Sequence, residues 1–171
     1  MEDLASETKE FKPAHEGIVQ SMCITPNLKY LITAGWDKHI KMWEIFSHEL
    51  IKDLGNAHKD VILTMALSKN GEWLFTGSSD QTIKKWVLKN SGIELFYDFG
   101  KQSAVYAMAL GLDGRHLFTA GTDKTLKQWN IRNCRLVKDF GMIHDDTITC
   151  MAIANLSKAF NTEHSSSKIV R

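Results

Sequence analysis

Threonine, histidine and aspartate recur together in this sequence in a way that could support hydrolysis. His15, Thr33 and Asp37 form one set, His58, Thr76 and Asp80 a second, and Thr119 with Asp123 a third. A hydroxyl nucleophile, an imidazole base and an orienting carboxylate are the parts of a hydrolytic triad. The recurrence argues the other way. A triad is assembled once, at one cleft, whereas a set made again in every repeat belongs to the scaffold. A tryptophan accompanies each set, at Trp43, Trp86 and Trp129. The sequence carries no nucleophile elbow, phosphate-binding loop or isolated acid pair, so neither enzymatic activity nor a cofactor is expected.

Other residues with chemical potential have equally plain readings. His15, His58 and His144 fall one to a repeat, too far apart to share a metal ion. Met22, Met65, Met108 and Met151 resemble a copper-binding row, yet one methionine per strand reads as packing. Asp-Phe-Gly at 98–100 and again at 139–141 has the letters of a kinase tripeptide but none of the accompanying motifs. The three cysteines are odd in number and form no Cys-x-x-Cys pair, which argues against a disulfide framework or a zinc site and for a reducing, intracellular setting, cytoplasmic or nuclear.

The elements that must position these residues follow from the repeat. Trp43, Trp86 and Trp129 are 43 residues apart, and the same step joins Asp37, Asp80 and Asp123, then Thr33, Thr76 and Thr119, and then Phe11, Leu54, Tyr97 and Phe140. His15 and His58 keep it, Lys101 interrupts it, and His144 resumes it. Each unit reads as four short strands. The first is Ile18 to Ile24, matched by Val61 to Leu67, Ala104 to Leu110 and Thr147 to Ile153. Its nearly unbroken apolar character suits a sheet buried on both faces. Turn residues follow at Pro26-Asn27, Asn70-Gly71 and Asp113-Gly114, then a second strand ending near each Thr and a third ending near each Trp. A fourth, more variable strand is expected at Glu49 to Leu54, Glu94 to Phe99 and Arg135 to Phe140.

The chain has 171 residues, 43% of them hydrophobic, with 21 basic against 20 acidic side chains, so one domain or a piece of a larger one is expected. No apolar run is long enough to span a membrane, and the acidic N-terminus does not read as a signal peptide. A near-neutral charge also argues against a nucleic-acid track. Lys41, Lys84 and Lys127 nevertheless form a basic column, expected to be a solvated rim; an RNA- or lipid-binding surface built on it is the alternative reading of the chain.

The triple repeat, with its 28-residue interval from His15 to Trp43 and from His58 to Trp86, resembles the WD-repeat family of β-propellers. Thr-Ala-Gly-Trp-Asp37, Thr-Gly-Ser-Ser-Asp80 and Thr-Ala-Gly-Thr-Asp123 are similar to that family's second turn, although Glu44, Val87 and Asn130 replace the namesake Asp. The resemblance implies an all-β fold of four-stranded antiparallel blades. It also implies a structural network running from the Trp indole to Thr, from Thr to His, and from His to Asp, shortened in the third repeat. The expected layout is an N-terminal extension over 1–14 with an outer strand around Phe11, repeats at 15–57, 58–100 and 101–143, a partial fourth at 144–160, and an unpacked polar tail at 161–171. In that tail Thr162 keeps the phase, whereas Ser166 replaces the turn Asp. Three blades and part of another do not close a ring. The array is therefore expected to be a piece of a longer propeller, to be completed by a second chain, or to stand as an open stack.

The resemblance further implies a protein-interaction scaffold, with proteins or peptides docking on the face that bears the turn before each Asp. Trp36, Ser79 and Thr122 lie in those turns. Ile18, Gln20, Val61, Leu63, Ala104, Tyr106, Thr147 and Thr149 lie near the starts of the first strands. Trp36 and Tyr106 are the preferred contacts, with Gln20 and Leu63 beside them, because aromatic anchors often dominate binding energy.

Overall fold

A computed structural model describes residues 10–89, 92–101, 103–155 and 167–170. Among these there are fourteen strands and no helix. Strands β1 (Val19–Ile24), β2 (Tyr30–Gly35), β3 (Ile40–Glu44) and β4 (Leu50–Leu54) pair in sequence order as one antiparallel sheet. Strands β5 (Ile62–Leu67), β6 (Trp73–Ser78), β7 (Thr82–Lys89) and β8 (Gly92–Lys101) form a second. Strands β9 (Val105–Leu110), β10 (His116–Gly121), β11 (Thr125–Asn130) and β12 (Arg135–Met142) form a third. A two-stranded sheet of β13 (Ala152–Asn155) and β14 (Ser167–Val170) follows.

The repeat is kept in the backbone as well as in the residues. Lys38, Gln81 and Lys124, each just after the turn Asp, all have positive φ. The turns after the first strands close through Leu28 N–H to Thr25 O, Gly71 N–H to Ser68 O and Gly114 N–H to Gly111 O. Leu28, Gly71 and Gly114 all take the left-handed conformation that glycine adopts at low cost.

The sheets stack face to face, each first strand packing on the next: β1 on β5 and β5 on β9. One core joins Ile32, Ile40 and Met42 of the first blade to Ile62, Leu74 and Trp86 of the second. A second core joins Phe75 and Ile83 to Val105, Leu117 and Trp129. The stack has an uncovered face. Met108 is 7% exposed between blades two and three, whereas Met22, its counterpart in blade one, is 64% exposed. Val19 and Ile24 lie exposed near it. The expectation that all first strands are buried on both faces therefore fails for β1, because burial of this strand depends on a neighbouring blade and β1 has one on a single side.

Three further expectations need correction. Phe11 belongs to no strand; instead its ring packs edge-on against Trp43, with centroids 5.5 Å apart. The fourth repeat's first strand begins at Ala152 rather than Thr147, and residues 147–151 are irregular. Ser167–Val170 pairs with β13, where an unpacked tail was expected. Thr162 and Ser166 lie outside the described residues, as do 1–9 of the N-terminal extension.

Candidate functional site

The recurring polar residues meet inside the blades. In the first, Trp43 donates its indole N–H to Thr33 Oγ1 at 2.8 Å, and Thr33 Oγ1 lies 2.7 Å from His15 Nε2. His15 Nδ1 lies 2.8 Å from Asp37 Oδ2. The arrangement is satisfied when Nδ1–H donates to the carboxylate and Nε2 accepts from the threonine hydroxyl. The second blade repeats it: Trp86 to Thr76 at 2.9 Å, Thr76 to His58 at 2.7 Å, and His58 to Asp80 at 3.0 Å. Asp80 also accepts from the Lys59 N–H and from the Thr82 hydroxyl.

The third blade keeps only the ends. Trp129 donates to Thr119 at 2.8 Å. Asp123 takes its cation from the Lys127 amine, which also donates to Thr125 Oγ1. Asp37, Asp80 and Asp123 are all subject to burial, which pushes a carboxyl up. Hydrogen bonds from His15, from His58 with Thr82, and from Lys127 respectively outweigh it and hold each carboxyl below its ordinary range. With every polar partner engaged within the blade, these sets hold strands and loops together and leave no hydroxyl poised for attack.

The lysine column does not form a solvated rim. Lys41 is only 4% exposed and donates to the carbonyls of Pro13 and Ala14, just ahead of His15. Lys84 donates to the carbonyl of Ala57, just ahead of His58. Where the histidine is missing, Lys127 turns to Asp123 instead. These amines are engaged inside the protein and give no basic track, so the RNA- or lipid-binding alternative finds no support in them.

Among the described residues no group of three or more His, Cys, Asp and Glu is placed to hold a metal ion. Cys23, Cys134 and Cys150 are free thiols. Burial pushes Cys23 up to about 12, so it stays protonated near neutrality.

The starts of the first strands converge on a separate feature. Gln20, Leu63 and Tyr106 line one cavity of about 470 Å³ that runs across all three blades to Thr149 and Met151. Trp36 stands beside it, half exposed, its indole donating to Gln20 Oε1 at 3.3 Å. The four preferred contact residues are thus brought to one region. Ile18 is exposed, Val61 and Ala104 are half-buried, and none of the three lines the cavity. Sequence reasoning missed Ser21, Thr64 and Cys150 as lining residues.

The family model for the WD domain, G-beta repeat, matches residues 6–44, 49–86 and 94–130, together more than half of the chain. This chain belongs to the WD40 family. Its fold is similar to that in "Crystal structure of RRP9 WD40 repeats", with a TM-score of 0.75, 23% identity, and 81% of this chain and 42% of that chain covered. It is equally similar to "Structure of U3-55K", with a TM-score of 0.73, 23% identity, and 81% and 43% covered. A search of curated protein sequences gives no match. This WD40 chain spans less than half the length of the propellers it resembles, and its three four-stranded sheets do not close into a ring.

Proposed function

We propose that this chain is a non-catalytic protein-interaction scaffold acting inside the cell, whose partner, a protein or peptide, docks at the cavity lined by Gln20, Leu63 and Tyr106. The observation that carries this reading is the convergence of those three residues from three different blades, with Trp36 hydrogen-bonded at the edge. The repeated His-Thr-Asp sets are occupied in holding the blades, which leaves the cavity mouth as the place where side chains from separate repeats can act together. The solved WD40 structures share the fold at low identity and lend no partner. On the same reading, the uncovered face of blade one meets further blades, from more of the same polypeptide or from a second copy. Light scattering distinguishes a dimer from a monomer.

The test is affinity capture with the full chain and with Trp36→Ala and Tyr106→Ala variants, followed by identification of the proteins recovered. Proteins lost with both variants but kept by Lys138→Ala, altered on the exposed outer strand β12, support the cavity as the docking site. Equal recovery by all the variants refutes it.

A further inference from the structure

A second and larger cavity, of about 870 Å³, opens between blades two and three, with Lys69, Trp73, Lys85, Phe96, Arg115 and Arg132 among its lining residues. Its composition is unusual: four cations line it and no carboxylate does. Lys85 is only 3% exposed. Its amine donates to the Ile131 carbonyl at 2.8 Å and lies 3.8 Å from the centre of the Trp73 ring and 4.7 Å from that of Phe96. No described carboxylate pairs with it, nor with Lys69, Arg115 or Arg132. A buried ammonium without a counter-ion is costly, and burial lowers the pKa of Lys85.

The neighbouring junction shows what the repeat would otherwise place here. The corresponding cavity between blades one and two measures about 460 Å³ and is lined by Pro26, Met42 and Glu72. One repeat later those positions are Lys69, Lys85 and Arg115. Three departures from an otherwise regular pattern add positive charge to one cavity, and one of them places a buried cation where the fold accepts methionine. Beside it, Trp73 and Phe96 stack edge-on with centroids 4.8 Å apart, and Phe96 remains more than half exposed. An anion would supply the missing counter-charge, and the open aromatic wall would take an apolar side chain. Guanidinium forks match carboxylates in two-point geometry.

We infer that this inter-blade cavity binds an acidic peptide segment carrying an aromatic side chain, its carboxylates meeting Arg115, Arg132 and Lys85 and its ring meeting Phe96 and Trp73. This deepens the scaffold reading with a second docking site and rests on it for the class of partner.

The probe is a fluorescein-labelled peptide, Gly-Glu-Glu-Phe-Asp-Glu amide, titrated with the full chain and followed by anisotropy. Its Gln/Asn counterpart and labelled oligouridylate run alongside. Saturable binding of the acidic peptide, weakened about tenfold or more by Arg115→Glu, supports the inference; that change places at 115 the residue type the first junction carries, and tenfold corresponds to about 1.4 kcal/mol. Lys85→Met, which restores the residue type found at Met42, should weaken it similarly without loss of folding. Lys138→Glu should leave it unchanged. Equal binding of the neutral peptide, or insensitivity to both cavity variants, overturns the inference, as does Arg115-dependent binding of oligouridylate with none of peptide. Peptide loss with Trp36→Ala instead would move the segment to the cavity lined by Gln20, Leu63 and Tyr106, overturning this site while sparing the scaffold reading. Binding here, alongside capture that ignores Trp36 and Tyr106, would spare this site and refute the docking cavity proposed above.

Discussion

The amine of Lys127 donates to the carboxylate of Asp123, a pairing that neither of the preceding blades makes. There the carboxylate faces a histidine, and the lysine reaches back to the loop ahead of that histidine. The third blade thus compensates for a missing imidazole with a residue already present in the repeat. A double-mutant cycle of Lys127→Ala and Asp123→Ala should give a coupling energy of about 1 kcal/mol in urea unfolding, because the pair is only partly shielded from solvent. A coupling indistinguishable from zero would remove the compensation.

Asp80 accepts from His58, the Lys59 backbone and the Thr82 hydroxyl. Asp80→Ala should therefore destabilise the chain by about 2 kcal/mol, through donors left without an acceptor. Thermal melts of purified protein check this, and an unchanged melting temperature would contradict the network.

The depressed carboxyls of Asp37 and Asp80 set an acid dependence. A folded-state pKa below the unfolded value of about 3.9 means that the stabilisation is complete above that value, and is lost as the pH falls through the folded one. The stability gap between the parent protein and Asp80→Asn should therefore hold steady from about pH 7 to 5 and narrow below about pH 4. A gap that stays constant down to pH 3 or so would mean that Asp80 is not held ionised by its partners.

Leu28 occupies the left-handed position that Gly71 and Gly114 fill in the next two repeats. Its side chain is exposed and contributes little packing. Leu28→Gly should raise stability by about 1 kcal/mol, the conformational strain outweighing the added freedom of the unfolded glycine. A lower melting temperature for this variant would show that the strain is already relieved.

The uncovered face makes a contrasting pair. Met108→Ser should cost about 3 kcal/mol by emptying a packed junction, while Met22→Ser should cost less than about 0.5 kcal/mol. Comparable losses at the two positions would mean that Met22 is buried in solution.

The repeat was readable because the same contacts must be rebuilt in each blade, so Trp43, Trp86 and Trp129 keep identical phase and meet Thr33, Thr76 and Thr119 in the same geometry. Burial of β1 was not readable. Its apolar letters match those of β5 and β9, and only a neighbouring sheet decides whether they are covered. The lysine column was misread because the acceptors of Lys41 and Lys84 are backbone carbonyls, which carry no residue signature. Lys85 escaped attention beside Lys84. Its signal was the break in a column that begins with Met42, visible only when a cation standing in an apolar position is asked what it faces. The convergence of Gln20, Leu63 and Tyr106 followed from equal spacing, but the tie between Trp36 and Gln20 needed coordinates.

Phe11 lies against Trp43, and the carbonyls of Pro13 and Ala14 take the Lys41 amine. The first blade thus borrows its lid from a segment that precedes the repeat as counted. A chain shortened to begin at His15 would keep the His, Thr, Asp and Trp of the first repeat yet strip that lid, whereas one beginning at Glu10 would spare it. Residues ahead of His15 thus belong to the first blade's structure as much as the repeat counted from it.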